Sequence, residues 1–202
     1  AVTLSELEDI YRPYRPKRRT RATIAKEKGL EPLAEILIKQ DISDTSAENL
    51  ALDYIDAEKG VETAEDALNG AMDIIAESIS DNADYRKAIR SMTMRSGMIV
   101  SKAAKEEDSV YRLYYDFSEP VSKLANHRLL AINRGEKEGF LTVKLTAEEE
   151  PIINYLYRRL TPKKRAVTTE YVERAAEDAY KRLIAPSIAT EIRNTLTENA
   201  EE

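Results

Sequence analysis

A short basic segment near the start of the chain carries the residue types best suited to binding phosphate. Residues 12–21, with the sequence RPYRPKRRTR, hold six positive charges in ten positions. Pro13 and Pro16 fix φ and disfavour a helix, which predicts a stiff, extended connector from which the side chains project. The cations predict contacts with nucleic-acid phosphates, and Tyr11 and Tyr14 are available to stack on bases.

A second basic cluster follows a helical pattern later in the chain. Arg158 and Arg159 precede Pro162 and then a run of three cations, which predicts a helix end and a loop. If the two clusters share one face, the case for nucleic-acid binding becomes stronger. The predicted nucleic-acid-binding residues are Arg15, Lys17, Arg18, Arg19, Arg21, Lys163, Lys164 and Arg165.

Each basic cluster also has a plainer interpretation. The basic segment, residues 12–21, would equally suit a strap whose arginines pair with acidic helices while Tyr11 and Tyr14 pack as core anchors. Cations at a helix C-terminus are favourable in themselves, which explains the second cluster without any ligand. A further alternative takes Pro13 and Pro16 as a PxxP ligand, but two prolines at this spacing are a weak signal.

The sequence argues against catalysis. His127 is the only histidine and there is no cysteine, so a thiol nucleophile, a thiolate metal site and a histidine pair are excluded. His127 lies in a helical pattern, where we expect a structural, hydrogen-bonded role. The acidic run 148–150 stands at a predicted helix start, where the helix dipole favours negative charge. We therefore expect no enzyme activity, no cofactor and no metal site.

Composition predicts a helical protein that contacts nucleic acid only locally. The chain has 202 residues, of which 34% are charged and 6% aromatic, and it contains six Gly and seven Pro. A net charge of −6 argues against coating by nucleic acid over the whole surface. No apolar run approaches the ~20 residues of a membrane span, and no secretory signal is visible, so we expect no membrane contact and a cytoplasmic location.

Helix signals recur along the chain. Hydroxyl-to-carboxylate spacings that suit capping boxes begin at Ser5, Thr45, Thr63 and Thr146. Residues 63–80 form one apolar stripe of helical period. Gly29 is placed to end a helix over 20–28, and Pro32 to begin the next one. The chain is predicted to be mainly α, an irregular multi-helix bundle.

Other segments are less regular. Residues 84–95 predict a helix, and 97–102 are compatible with a strand or a last helical turn. Residues 139–146 alternate apolar and polar side chains and predict one short β element. The charged stretch 103–110 marks a weak internal boundary. Residues 172–183 predict a helix that ends at Pro186, after which another begins.

Two motifs resemble the bacterial Tex family of transcription accessory proteins. The first is the run LEDIYRPYRPKRRT over residues 7–20, continuing as RATIAKEKGLEPLA to Ala34. The second is YYDFSEP over 114–120, followed by HRLLAINRGE over 127–136. Ala125 and Asn126 depart from the Pro-Ser that the family usually has before the His-Arg pair, which affects the local helix cap.

The resemblance implies the N-terminal helical region of a larger, cytoplasmic, multidomain protein. It implies RNase H-like, helix-hairpin-helix and OB-fold domains downstream, none of which has a signature in this chain. The OB-fold barrel would then carry much of the nucleic-acid binding. Transcription machinery is an expected protein partner.

Two functions follow from these observations. In the first, the chain is a nucleic-acid-associated helical module in which the basic segment contacts phosphates. In the second, it is a purely structural or protein-binding scaffold whose arginines are tied down internally. The positions of the guanidinium groups distinguish the two.

Overall fold

The computed structural model describes residues 2–15 and 18–202 and confirms a mainly α fold with a small β element. Its helices and strands, in chain order, are α1 (Leu4–Tyr11), α2 (Arg21–Glu27), α3 (Glu31–Lys39), α4 (Ala47–Ala51), α5 (Ala64–Ser80), α6 (Ala83–Ser96), β1 (Met98–Ala103), β2 (Asp116–Pro120), α7 (Asn126–Lys137), β3 (Leu141–Thr146), α8 (Glu149–Leu160), α9 (Thr169–Asp178) and α10 (Ala185–Glu201).

The chain divides into two compact units. The first comprises Ala1–Arg86 and Ile153–Ile184, and the second comprises Lys87–Ile152 and Ala185–Glu202. The stretch 103–110, where the sequence suggests a weak boundary, lies within the second unit. The further domains expected of a longer protein remain predictions.

Three helix ends in the first unit follow the predicted signals. Thr63 caps α5 by accepting a hydrogen bond from the Asp66 amide. Gly29 has φ +76°, the left-handed conformation that glycine adopts without a Cβ penalty, and it ends α2. Pro32 lies in the first turn of α3.

Three predicted caps are wrong. Thr146 is the last residue of β3, and α8 begins only at Glu149. The other two are wrong by one or two residues. Helix α1 is capped by Thr3, which forms a capping box with Glu6, rather than by Ser5. Helix α4 is capped by Ser46, which accepts from the Asn49 amide, rather than by Thr45. In both stretches neighbouring hydroxyl residues compete for the cap position, and local sequence does not separate them.

Helix α5 forms the centre of the first unit. Its apolar stripe is buried as predicted, with Leu68, Ile75 and Ile79 almost inaccessible to solvent. Helices α2, α3, α4 and α9 pack around it. Thr20, the N-cap of α2, donates to Glu77 of α5 at 3.1 Å, so the start of α2 is fixed beside the end of α5.

Helix α1 lies against the first unit by its polar side. Asp9 is its only buried residue, whereas Leu4, Leu7, Ile10 and Tyr11 are exposed. On a helix of 3.6 residues per turn, Leu4, Leu7 and Tyr11 lie about 140–160° from Asp9, and Ile10 lies about 100° from it. This is the reverse of the usual arrangement, in which the apolar stripe faces the core.

The second unit contains a three-stranded antiparallel sheet in the order β2-β1-β3. Ile99 of β1 lies opposite Glu119 of β2 and Leu145 of β3. The strand predicted near 139–146 is confirmed, and the ambiguous stretch 97–102 is a strand. The sequence did not predict β2, because the segment DFSEP alternates too weakly and ends in proline.

The helix containing residues 172–183 does not end at Pro186 as predicted. It widens into a π-helical segment over Ala179–Ile184 and continues directly into α10. A proline normally clashes with the carbonyl four residues earlier, and the wider turn relieves that crowding. Among the described residues, no helix has the length and apolar character needed to cross a membrane.

Candidate nucleic-acid interface

The basic segment joins α1 to α2 in the first unit. Residues Arg12–Tyr14 form one turn of 3-10 helix with Pro13 in its first turn, and Arg15 is extended. The prediction of a non-helical connector is therefore wrong for residues 12–14, since proline is tolerated at the start of a helical turn. Lys17 lies outside the described residues.

Three of the predicted arginines point into solvent. Arg15, Arg18 and Arg21 are exposed, and within the described part of the chain they form no hydrogen bond or ion pair. Arg19 is also exposed but lies 3.2 Å from Glu27. Most of the described predicted cations of this segment are thus accessible to a ligand.

Tyr11 and Tyr14 are not core anchors. Tyr11 is 59% exposed and Tyr14 is 83% exposed. The interpretation in which both rings pack into the fold is therefore wrong. Because aromatic side chains lose favourable burial when they remain in water, two exposed rings beside exposed guanidinium groups suit base stacking.

The second basic cluster lies in the loop between α8 and α9. Lys163, Lys164 and Arg165 are exposed, and Arg165 forms a 2.6 Å ion pair with Glu173 of α9. The loop is fixed at both ends. Gln40 donates to the Leu160 carbonyl at 2.8 Å, and Thr168 donates to the Leu37 carbonyl at 3.1 Å.

In the basic segment, Arg21 is connected through charged side chains to a different side of α9. Arg21 lies close enough to Asp73 to act on its pKa, and Asp73 lies 4.0 Å from Arg182, which pairs with Asp178. Asp178 follows Glu173 by five residues, which is about 140° around the helix. Glu173 pairs with Arg165 of the second cluster, so Arg165 and Arg182 have their carboxylate partners on different sides of α9.

The carboxylates of Asp73 and Asp178 alter the electrostatic potential of the basic segment near Arg21. Burial raises the pKa of Asp73, while the charges of Arg182 and Arg21 oppose that shift. A hydrogen bond to Asp178 raises the pKa of Arg182. Arg182 is therefore engaged with carboxylates, whereas Arg21 remains exposed above them.

His127 does not have the structural role expected of it. It lies in the first turn of α7, is exposed, and has no hydrogen-bond partner among the described residues. Within residues 2–15 and 18–202, no group of three or more His, Cys, Asp or Glu side chains is placed to hold a metal ion.

Two features of the first unit were not predicted from sequence. One is the buried pair between Asp9 of α1 and Arg86 of α6, at 3.1 Å. The other is a groove lined by carboxylates beside α3. Asp9 belongs to an acidic run that looks solvated, and only its partner 77 residues later explains its burial. The groove combines three helices, so local patterns do not show it.

Comparison with known proteins gives consistent matches. Residues 43–202 match the family described as Tex central region-like. An uncharacterized protein, YdcI, of Bacillus subtilis is 45% identical across 100% of this chain and 28% of its own length. Protein tex of Bordetella pertussis is 42% identical over 74% of this chain and 19% of that protein.

More distant relatives extend to animals. The human S1 RNA-binding domain-containing protein 1 is 30% identical over 99% of this chain and 21% of that protein. This chain spans 28% or less of the length of these curated relatives.

Proposed function

Because this chain belongs to the Tex family, we propose that it is a helical module of a nucleic-acid-binding transcription accessory protein and that its basic segment contacts the nucleic acid. The membership confirms the resemblance carried by residues 7–20 and 114–136. The family description assigns residues 43–202 to its central region. A relative is named for an S1 RNA-binding domain, which supports association with RNA in the longer protein.

The observation that carries this proposal is the exposure of Arg15, Arg18 and Arg21 without partners among the described residues. Arg15 and Arg18 have no carboxylate partner within the described residues, and Arg21 acts on Asp73 without forming an ion pair, so in a chain of net charge −6 all three remain available for phosphate. The Arg19–Glu27 pair is solvent-exposed on both sides, and such pairs contribute only about 0–1 kcal/mol. Arg19 can therefore exchange Glu27 for a phosphate at small cost.

The exposed rings add a second kind of contact. A base stacked on an aromatic side chain contributes about 1–3 kcal/mol, and stacking requires unpaired bases. Tyr14 adjoins Arg15, so a base on its ring would bring a phosphate near a guanidinium group. This arrangement supports binding of a single strand.

The second cluster has a weaker part in this proposal. Arg165 is engaged with Glu173, whereas Lys163 and Lys164 form no ion pair within the described residues. We assign Lys163 and Lys164 an auxiliary electrostatic contribution.

In the longer protein, this module would act together with further domains in the cytoplasm, near the transcription machinery. It would bind rather than catalyse, since neither its sequence nor the described side chains assemble a base, a nucleophile and a metal site. The second candidate function is a scaffold without nucleic-acid binding. The Arg19–Glu27 and Arg165–Glu173 pairs favour it, because they tie down part of each cluster.

The test is binding of a fluorescein-labelled single-stranded RNA by the 202-residue chain at several salt concentrations. The variant Arg15→Gln, Arg18→Gln and Arg21→Gln removes the three free guanidinium groups. Each lost phosphate contact reduces the slope of log K against log salt by about 0.7 for a single strand, so we expect a reduction of roughly 2.

The matched control removes the same charge elsewhere. Lys39, Lys59 and Lys144 are exposed and lie outside both clusters, and all three are changed to Gln. If both variants lose affinity equally, or if the arginine variant binds as well as the parent chain, the basic segment is not the interface and the scaffold function is favoured. Thermal melting checks that each variant is folded.

A further inference from the structure

A second stretch of the chain contains cations but no carboxylate. Residues 151–169, which include most of α8 and the loop that follows it, hold five cations and neither Asp nor Glu. In a chain of net charge −6, such a stretch creates a local positive potential. Two of its cations, Arg158 and Arg159, lie in the last turn of α8, and the function proposed above does not use them.

Arg159 is held by an aromatic side chain rather than by a carboxylate. Its guanidinium group lies over the ring of Tyr85, with 5.8 Å between Cζ and the ring centroid. Tyr85 in turn meets the ring of Tyr155 edge-on, at a centroid distance of 6.3 Å and an interplanar angle of 85°. Stacking of this kind orients a guanidinium plane without using its five N–H donors. We call Arg158, Arg159 and Tyr85 the α8 platform.

The N–H donors of the α8 platform are not engaged by the described part of the chain. Arg158 and Arg159 are exposed, and neither forms a hydrogen bond or an ion pair there. Asp84, which precedes Tyr85 in α6, is exposed and forms no ion pair with either arginine. Both guanidinium groups can therefore accept an external anion without first losing a carboxylate.

Stabilisation of the end of α8 does not account for these arginines. Cations often hydrogen-bond the last carbonyls of a helix, but other groups do so here. Gln40 donates to the Leu160 carbonyl at 2.8 Å, and the Tyr157 carbonyl accepts from the amide and the hydroxyl of Thr161 at 2.9 and 2.7 Å. The helix dipole favours any cation at this end, so a lysine would serve it as well as Arg159 does.

We propose that the α8 platform is a second contact for the nucleic acid and takes an unpaired base together with its phosphate. This inference rests on the function proposed above, because it adds a contact to the same ligand. The face of Arg159 turned away from Tyr85 would stack on the base, since guanidinium planes stack on bases as aromatic rings do. Arg158 would donate to the adjoining phosphate.

Other anions match the α8 platform less completely. A peptide carboxylate or a free phosphate ion would pair with the guanidinium groups but leave the planar face of Arg159 without a partner. A duplex keeps its bases stacked inside and offers phosphates alone. A single strand supplies both the phosphate and an accessible base.

The test is binding of a fluorescein-labelled oligouridylate to the 202-residue chain, followed by anisotropy at several salt concentrations. Arg158→Gln should weaken binding severalfold and reduce the slope of log K against log salt by about 0.7, the value for one phosphate contact on a single strand. Arg159→Lys keeps the charge but loses the planar face, so it should weaken binding about fivefold with the slope unchanged.

Matched variants isolate each contact. Tyr85→Phe keeps the ring beneath Arg159 and should bind like the parent chain, whereas Tyr85→Leu should lose affinity as Arg159→Lys does. Arg95→Gln removes one exposed charge in the second unit and should cost less affinity than Arg158→Gln. Thermal melting checks each fold, and if Tyr85→Leu does not fold, the variants at the exposed Arg158 and Arg159 decide.

The outcomes separate this inference from the function on which it rests. If affinity falls when Arg15, Arg18 and Arg21 are changed to Gln but not in Arg158→Gln or Arg159→Lys, the α8 platform is outside the interface and the inference is overturned. If the parent chain does not bind the RNA, the proposed function fails as well. A loss in Arg159→Lys that persists on an abasic strand would also overturn the inference, because the ligand would then be phosphate alone.

Discussion

Asp9 and Arg86 form a buried ion pair that joins α1 to α6. The Arg86 Nε lies 3.1 Å from Asp9 Oδ1, and the two side chains are 0% and 3% exposed. Arg86 also donates to the Ser80 carbonyl at 3.2 Å. Asp9 is the only buried residue of α1, so this pair anchors the helix through a buried polar contact rather than through apolar packing.

Removal of one partner of this pair should be costly. Asp9→Ala leaves a buried guanidinium group without its carboxylate, for which losses of about 3–5 kcal/mol are typical. We expect the free energy of unfolding to fall by an amount in this range. Urea denaturation followed by circular dichroism would measure it.

The double variant separates pairing from packing. Asp9→Leu with Arg86→Met replaces both charges by apolar groups, which is often neutral or stabilising at buried pairs. We expect this double variant to be more stable than Asp9→Leu alone or Arg86→Met alone. If the double variant is the least stable of the three, the ion pair itself contributes net stability.

Tyr171 should give the first unit a pH-dependent stability at alkaline pH. Burial, followed by its hydrogen bond to Glu48 at 2.8 Å, raises the pKa of Tyr171 to about 12. Because the pKa of Tyr171 is higher in the folded chain than its unfolded value of 10.0, the protonated phenol stabilises the fold fully below pH 10. This stabilisation is lost as the pH rises from 10 to about 12. Tyr171→Phe should therefore flatten the fall in stability over this window.

At neutral pH, the stability of Tyr171→Phe measures the contribution of the hydrogen bond between Tyr171 and Glu48. We expect Tyr171→Phe to lose about 1 kcal/mol, the usual net contribution of such a bond. Tyr54→Phe is a suitable control, since Tyr54 is half-buried and has no hydrogen-bond partner among the described residues. An unchanged alkaline profile for Tyr171→Phe would assign the pH dependence to other tyrosines.

Gly135 allows α7 to approach β3 in the second unit. A Cβ at this position would lie 2.6 Å from Leu141 Cδ1 and 3.0 Å from Tyr111 Cδ1. Both neighbours are buried, so they have little room to move. We expect Gly135→Ala to destabilise by about 1–3 kcal/mol through overpacking, partly offset by about 1 kcal/mol of better helix propensity.

Thermal melting of Gly135→Ala, Leu141→Ala and the double variant checks this contact. The double variant should lose less stability than the two single variants lose together, because removal of the leucine side chain makes room for the new methyl group. Simple additivity would mean that the two positions do not share the contact.

The sequence predicted those parts of the fold that depend on local signals. The stripe of α5, the turn at Gly29 and strand β3 each follow from periodicity or from the φ that glycine permits. The path through Pro186 was not predicted, because the π-helical segment that accommodates the proline leaves no local signature. Strand β2 depends on its pairing with β1, which is a non-local contact.

The candidate interface was predicted in composition but not in arrangement. Exposure of Arg15 and Tyr14 could not be read from the sequence, which suited burial equally well. The partner of Arg165 could not be predicted, because its pairing with Glu173 depends on how the loop meets α9. The groove lined by carboxylates beside α3 was not predicted, because its lining residues come from helices that are distant in sequence.

The orientation of α1 has a consequence for how the helix opens. Its apolar stripe is already in water, so detachment of α1 from the first unit uncovers little additional surface. The denaturant dependence of an opening reaction scales with the surface it uncovers. Amide exchange in α1 should therefore proceed by an opening that urea hardly accelerates, whereas exchange in α5 should follow global unfolding.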